Sequence, residues 1–597
     1  MQKRWIVRDV CPRDFIVKDA HPAVPQLLWN RGIKTPEDAA RFFDPSFEEG
    51  IHDPSLFTQM RAAVERLLTA LSNGEKIVVF GDYDADGITG STVLITTLRE
   101  IEAKLRTTGR TGRQDEQGFD PVVPFVLSSR SSCVSSYIPH RDKEGYGLQM
   151  ASVAQLADEG AKVIVTVDCG IACVDEIAEA RRRGVDVVVV DHHQFGETLP
   201  DAVLIHPSIP GETYPFKSLA AVGVAWKLAS AMVAEARSRG LDIPEMFEKW
   251  LLDLVSIATV TDIVPLIGEN RVLERYGLRV LNKSKRPGLS ALFERAGLVR
   301  GEINERDVGF AIGPRINAAG RMEHASLALR LLLSETEEEA LDLSHRLESL
   351  NRARQAATME MMKQAEQMLV EAAESVKLHV LWHDTWSPAL VGLVAGKVAD
   401  RYGMPAVAIG KHGDHWIGSG RSYPAYDISA AVRRAGDGLL TRSGGHVQAC
   451  GFALADDGHV PVFAERLRQD AGERLTDNDL GPTLDVDADL PLEDVSWSLV
   501  ETVERFSPFG CGNAEPSFIS RGLHVISSRT VGADGRHLNL VARSPRGTVQ
   551  KFIAFNHGKR LNDATVGSSV DVVYHVGVNE WNGRKEIQCK VVDFHAA

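Results

Sequence analysis

Between residues 76 and 205 the sequence sets short, almost purely aliphatic runs against amphipathic stretches. No other feature limits the fold as much. The runs are KIVVF (76–80), PVVPFVL (121–127), AKVIVTV (161–167), VDVVVV (185–190) and AVLI (202–205). Near-continuous β-branched strands separated by helices require a parallel sheet covered on both faces. Parallel strands point their carboxyl ends at one crevice, so the residues following these runs should meet in space.

Those residues are acids and histidines. KIVVF leads into Gly81-Asp82-Tyr83-Asp84-Ala85-Asp86-Gly87, AKVIVTV into Asp168-Cys169-Gly170, and VDVVVV into Asp191-His192-His193. Asp262 follows an apolar helical stretch, in Thr261-Asp262-Ile263-Val264-Pro265. One such run alone also fits a solvated acidic turn or a calcium loop. Repetition at several strand ends favours a gathered cluster, which is costly unless a cation neutralises it. Carboxylates mixed with imidazole suit Mn²⁺ or Mg²⁺, and the absence of a Cys pair at ligand spacing argues against structural zinc. Cys169 and Cys173 read as small packing residues.

The rest of the chain divides by pattern. Residues 1–75 read as helical, with Thr35-Pro36-Glu37 as a helix start. Residues 103–120 form a polar loop, and helices follow over 218–239 and 247–262. A long charged helix, with Leu343, Leu347 and Leu350 at spacings of four and three, connects to a second α/β block. From Arg521 short strands with turn residues indicate a small β-barrel. The expected domains are a helical region at 1–75, a catalytic domain at 76–335, a connector helix at 336–375, a second α/β domain at 376–475 and a barrel domain at 476–597. Hydrophobic residues at 44% and charged residues at 25% exclude disordered and fibrous classes. No apolar run reaches the roughly 18–20 residues of a membrane helix, the start has no signal-peptide core, and seven irregularly spaced cysteines fit a reducing cytoplasm.

The motifs GDYDADGITGS (81–91), VIVTVDCGI (163–171), DHH (191–193) and ATVTDIVPLIGENR (258–271) occur in this order. Together they resemble the DHH phosphoesterase superfamily. GPRINAAGRM (313–322), SGRS (419–422), GGHVQACGF (444–452) and PFGCGNAEPSF (508–518) extend the resemblance to its single-strand exonucleases. The implied architecture is α/β: a parallel-sheet DHH catalytic domain, a long connector helix, a DHH-associated domain and a C-terminal OB-like β-barrel. The implied activity is 5′-3′ hydrolysis of single-stranded DNA to nucleoside 5′-monophosphates by two divalent ions, Mn²⁺ or Mg²⁺, in DNA repair and recombination. The alternatives are an oligoribonuclease or pAp phosphatase acting on short substrates, and a non-catalytic DNA-binding scaffold. Phe80 stands where many relatives carry a histidine.

The resemblance also implies roles. Asp82, Asp84, Asp86, Asp168, Asp191, His192 and Asp262 form the metal set, with Asp191 alternatively orienting the histidines. His193 faces the phosphate as hydrogen-bond donor or general acid. Arg315, Asn317 and Arg321 stabilise its charge; the competing reading is that the arginines tie down the connector helix. Arg141, Ser419 and Arg421 hold a 5′ end, Gly444 and Gly445 let the backbone approach phosphate or sugar, and His446 either donates to a phosphate or packs in a turn. Trp386 either lines the strand path or packs in the core. The implied partners are single-stranded DNA, a single-stranded-DNA-binding protein and a helicase; the implied state is a cytoplasmic monomer.

A net charge of 67 − 81 = −14 argues against a general nucleic-acid coat protein. Its distribution is uneven, because residues 521–597 carry 11 Lys+Arg against 6 Asp+Glu. There Arg543, Arg546, Lys551, Lys559, Arg560, Arg584 and Lys585 interleave with Phe552, Phe555, Tyr574 and Trp581, the composition of a groove that stacks single-stranded bases.

Overall fold

The computed structural model describes residues 3–17, 20–108, 132–371, 376–423, 426–581 and 583–597. Internal contacts divide the chain into two units, one of Asp44–Arg354 with Pro508–Ala514, the other of Met1–Phe43, Gln355–Ser507 and Glu515–Ala597.

In the first unit five parallel strands lie in the order Val134–Tyr137, Lys76–Gly81, Ala161–Val167, Asp186–Val190, Val203–Ile205. Alternate residues of each strand serve opposite cores. Ile77, Val79, Val163, Val165 and Val188 pack under helices Ala85–Thr108 and Ala221–Ser238. Val78, Phe80, Ile164, Val187 and Val189 pack on the other side with residues of helices Met150–Asp158 and Val174–Arg182. Burial on both faces explains why the strands read as continuous apolar runs. Phe80 is fully buried and stacks on Tyr137, so the position expected to carry a family histidine serves the core.

The strand expected at 121–127 lies outside the described residues; the edge strand seen is Val134–Tyr137. The expected polar loop begins later than 103, because the helix continues to Thr108. Glu102 explains the extension: it pairs with Arg106 one turn on and accepts from Ser132 Oγ and Cys133 N. The rest of that loop lies outside the described residues. The charged helix is Glu337–Glu371, with Leu343 and Leu347 buried in the core of the first unit.

The second unit holds a five-stranded sheet in the order Leu440–His446, Ala449–Leu454, His415–Arg421, Ala406–His412, His379–His383, parallel only between the last two strands. Its barrel strands are Phe518–Val531, His537–Arg543, Val549–Ala554, Arg584–Ala596 and Ser569–Trp581, and the first pairs with the last to close it. The N-terminal region is not wholly helical as expected. Arg4–Val7 is a strand paired in parallel with Thr483–Val486, and Trp5 is fixed there by stacking on His595 and donating to Asp593. The sequence Arg-Trp-Ile-Val suits a pleated surface. The Thr35 helix start is present, its Oγ accepting from Asp38 N.

Much of the ATVTDIVPLIGENR motif serves the scaffold. Glu269 and Lys227 form an ion pair with both side chains fully buried, and Tyr214 Oη donates to the same carboxylate. Removing one partner leaves an uncompensated buried charge. Glu269→Ala should therefore destabilise the protein by about 3–5 kcal/mol, read as a lower denaturant midpoint; a change near zero would show that the pair is dispensable.

Candidate active site

The first unit's strand ends build the site. The backbone leaves strand Lys76–Gly81 and enters helix Ala85–Thr108 within three residues. Asp84 Oδ1 caps that helix by accepting from Asp86 N and Gly87 N. Asp86 points across to helix Ala221–Ser238 and accepts from Ala221 N and Val222 N, at 2.7 and 2.8 Å. Both acids thus sit against helix N-termini, whose unpaired N–H groups favour negative charge. Gly87 permits the tight approach, since a Cβ there would stand 2.6 Å from Asp82 N.

Asp168 and Ile263 both have positive φ, at 64° and 59°. Holding an L-residue in this conformation costs about 1–2 kcal/mol. Each immediately ends a regular element, Asp168 after strand Ala161–Val167 and Ile263 after Asp262, the C-cap of helix Leu252–Thr261. The strain lies where the chain must turn to aim a carboxylate.

The acids and histidines named from sequence converge. His192 Nε2 lies 3.3 Å from Asp168 Oδ1, 3.6 Å from Asp262 Oδ2 and 3.7 Å from Asp86 Oδ2. Three groups could each hold a metal ion, Asp82–Asp84–Asp168, Asp86–His192–Asp262 and Asp168–His192–His193, with ligand atoms within 4.8 Å of one another. Burial and mutual repulsion push Asp82 and Asp168 well above the ordinary carboxylate range, Asp86 up to about 7 and Asp262 up to about 9. Burial, together with the neighbouring His193, lowers His192 to about 4, which keeps its ring neutral. Asp82 Oδ1, Asp168 Oδ1 and His192 Nε2 are buried without a hydrogen-bond partner. A neutral imidazole and carboxylate oxygens facing one another unpaired are the donor set of a hard divalent cation, so the residues present fit Mn²⁺ or Mg²⁺.

Asp191 differs from its neighbours. It is fully buried and accepts from Ile171 N, His192 N, His193 N and the His193 ring. None of the three metal-competent groups includes it. Of the two roles read from sequence, its contacts favour orienting the histidines. Burial opposes both charges of the Asp191–His193 pair, but their contact prevails, taking His193 up to about 9 and Asp191 down to about 2.

The motif GPRINAAGRM reaches the site by another route than expected. Asn317 Oδ1 accepts from Ala85 N at 2.7 Å and so holds the acidic turn. Arg315 donates to Glu348 and to Ala311 O, the tie to the charged helix weighed as its alternative role. Gly320 lies against Tyr83 O, where a Cβ would stand 2.6 Å away. The Arg141 guanidinium lies 4.7 Å over the Tyr83 ring, beside the acidic run. Burial pushes the Tyr83 hydroxyl well above the ordinary tyrosine range, and the nearby Arg141 and Arg321 only partly offset this.

Two supporting residues escaped the sequence reading. Tyr146 Oη donates to Asp168 O and lies 3.1 Å from His193 Nδ1. Buried His206 holds His193 O through Nε2 at 2.8 Å. His206 directly follows the AVLI run, so the strand-end rule could have found it; nothing in sequence singles out Tyr146.

In the second unit two motifs line up across three adjacent strands. Ser419, Gly451 and Gly444 are register partners, as are Arg421, Ala449 and His446 two residues on. They share one sheet face, while Gly445 alternates to the opposite side. Arg421 donates to Ser419 Oγ at 2.7 Å. Two strand spacings, about 9.6 Å, separate the Arg421 and His446 backbones over a floor of small residues. Exposed Arg442 shares the face and was missed, although its alternation with Gly444 and His446 signals it. Trp386 is buried and bonded to Gln364, so it belongs to the core. The barrel also needs correction: Phe552 and Tyr574 fill its interior, and Arg560 is bound by Asp563 and Asp593. Arg543, Arg546, Lys551, Phe555, Lys559, Arg584 and Lys585 are exposed; the Trp581 side chain lies outside those described.

Comparison with known proteins adds to this geometry. Family models match as "DHH family, N-terminal domain" over 76–259, "DHHA1 domain" over 374–473 and "RecJ OB domain" over 486–593. The single-stranded-DNA-specific exonuclease RecJ of Bacillus subtilis is 35% identical over 96% of this chain and 68% of its own length. That of Dickeya dadantii is 33% identical over 96% and 95%. The crystal structure of RecJ in complex with Mn²⁺ from Thermus thermophilus matches with TM-score 0.80 at 28% identity, covering 100% of this chain and 80% of that one.

The crowding of buried carboxylates predicts a stability signature. Mn²⁺ should raise the thermal midpoint and EDTA should reverse the rise, measured by calorimetry. Asp168→Asn, which removes one repelling charge, should stabilise the metal-free protein and abolish most of the Mn²⁺ increment. An unchanged increment would remove Asp168 from the metal set.

Proposed function

This chain belongs to the RecJ family of single-stranded-DNA-specific exonucleases, and we propose that the carboxylate–imidazole centre of its first unit is where it hydrolyses the strand, from the 5′ end inward. It is a metal-dependent nuclease of the DHH phosphoesterase class, with two divalent ions, Mn²⁺ or Mg²⁺, as cofactor. The observation that carries the site assignment is the meeting of unpartnered, buried Asp82 Oδ1, Asp168 Oδ1 and His192 Nε2.

Bound there, divalent ions supply a Lewis acid for the scissile phosphate and lower the pKa of attacking water. Asp82, Asp84, Asp86, Asp168, His192 and Asp262 hold them. Asp191 keeps His193 oriented and charged, so that His193 can donate to a nonbridging oxygen or protonate the leaving oxygen. Arg141 and Arg321 add positive charge near the acidic turn. Asn317 and Arg315 act through position, one holding the turn and the other anchoring its helix to Glu348.

In the second unit, Ser419 and Arg421 take the terminal 5′-phosphate, since a guanidinium fork matches its geometry. Gly444 and His446 border the strand with Arg442. The exposed cations of the barrel hold further phosphates, an arrangement that a dinucleotide phosphatase does not need. The products are nucleoside 5′-monophosphates. Working domain limits are 1–75, 76–335, 336–375, 376–475 and 476–597. A single-stranded-DNA-binding protein and a helicase would supply free ends to a cytoplasmic monomer. Among the described residues no helix is long and apolar enough to cross a membrane.

A time course on one strand labelled at either end, with Mn²⁺ and with EDTA, tests the reading. Mononucleotides should be released from the 5′ end with Mn²⁺ alone; release from the 3′ end would reverse the polarity. Residues that merely support metal ligands cost about 10–100-fold when replaced, so His192→Ala should lose more than about 100-fold in kcat. Near-normal turnover would remove it from the ligand set. Arg421→Ala should raise KM about ten-fold or more on a 5′-phosphorylated strand, in line with a lost charged hydrogen bond, and change it little on a 5′-hydroxyl strand.

A further inference from the structure

The segment Pro508–Ala514 belongs to the first unit, although the chain on both sides of it belongs to the second. It forms a small closed loop. Gly510 and Asn513 exchange backbone hydrogen bonds at 2.9 and 3.1 Å, and fully buried Asn513 donates its side-chain N–H to Pro508 O. Two of its contacts reach the surroundings of the metal centre. Cys511 O accepts from Leu266 N at 2.8 Å, four residues beyond Asp262. Phe509 N donates to Glu305 Oε1 at 3.0 Å, shortly before the helix Gly313–Met322 that carries Arg315, Asn317 and Arg321.

The backbone between Asp262 and Leu266 needs such support. Ile263 is held in the left-handed region and is 70% exposed, so little packing of its own restrains it. Val264 enters the core at 9% exposed, and Leu266, at 1%, is the deeper anchor after the turn. The loop closes tightly over this anchor. A Cβ on Gly510 would stand 2.7 Å from Leu266 Cδ1, and one on Gly512, itself at φ 71°, 3.2 Å from Pro265 Cβ. Asn270 Nδ2 fixes the other side by donating to Pro265 O.

We propose that the Pro508–Ala514 loop is a positioning element of the metal centre, fixing the Asp262 carboxylate by clamping Pro265 and Leu266. The inference rests on Asp262 being a metal ligand. The loop contributes no ligand; it removes freedom from the turn that presents one, and residues that orient ligands tune metal affinity. It also binds the Asp262 turn and the approach to the arginine-bearing helix to a single short segment.

The test is direct Mn²⁺ titration of the full-length protein, reading free Mn²⁺ by electron paramagnetic resonance, for wild type, Gly510→Val, Gly512→Ala and Asp262→Ala. Gly510→Val should weaken apparent Mn²⁺ affinity about ten-fold or more, leave KM for single-stranded DNA within about two-fold at saturating Mn²⁺, and regain activity as Mn²⁺ is raised. Should Gly510→Val not fold, Gly512→Ala carries the same expectation. Wild-type Mn²⁺ affinity in a folded loop variant, with affinity lost in Asp262→Ala, would overturn the inference alone. Parallel losses of Mn²⁺ affinity and of DNA affinity at saturating Mn²⁺ would show a general structural role and overturn it too. Wild-type affinity in Asp262→Ala would overturn the assignment of Asp262 itself, and the inference with it.

Discussion

The structure of the first unit turns on one electrostatic problem, which is how to keep several carboxylates buried together at the end of a parallel sheet. Each solution recruits a different part of the fold. Asp86 is met by the N-terminus of helix Ala221–Ser238, Asp84 by its own helix start, and Asp191 by three backbone N–H groups and an imidazole. Even so, within the cluster Asp82 Oδ1, Asp168 Oδ1 and His192 Nε2 stay buried without a hydrogen-bond partner, with Asp168 grouped with Asp82 on one side and with His192 on the other. Burial makes an unpaired polar atom expensive, so this residue of unsatisfied atoms marks where a cation belongs. Asp191, its oxygens occupied, lies in none of the metal-competent groups, whereas Asp86 lies in one although both its oxygens accept from a helix N-terminus.

Much of this was legible because strand ends of a parallel sheet must converge. That rule located Asp82, Asp84, Asp86, Asp168, Asp191, His192 and His193 without any view of the structure. It also applied to His206 after Val203–Ile205, where it was not used. What stayed illegible depended on side-chain direction. Arg315 and Asn317 look like phosphate-binding groups in a motif, yet contacts with Glu348 and Ala85 turn them to holding the scaffold. Phe552 and Tyr574 looked like stacking platforms, but strand alternation places them inside the barrel. Residue type reveals what a side chain can do, and only the pleat or helix phase reveals which way it faces. The strand Arg4–Val7 was missed for a related reason: its partner lies more than 470 residues away, and four residues carry little periodicity.

Motifs and functions therefore do not map one to one. Within ATVTDIVPLIGENR, Asp262 faces the centre while Glu269 is locked in a fully buried pair with Lys227 and Asn270 braces Pro265. The turn after a helix C-terminus aims the carboxylate at its cap, and Asn270 is one of the residues that hold this turn. Net charge is equally uninformative when taken whole. The overall −14 includes the acids of the centre, while residues 521–597 alone carry 11 − 6 = +5.

The second unit solves the opposite problem, presenting cations without burying them. Its central strand places Ser419 and Arg421 two residues apart, and antiparallel register sets Gly451, Ala449, Gly444 and His446 beside them. Small residues in the middle matter as much as the polar side chains beside them. A bulky side chain at Gly451, on the strand between those of Arg421 and His446, would rise from the floor and fill the space of about 9.6 Å across two strand spacings. Glycine and alanine on that floor offer no side-chain donors to base edges. Sequence-independent binding is what a nuclease needs if it is to digest every strand it meets. Selectivity for single strands must then come from something other than base readout.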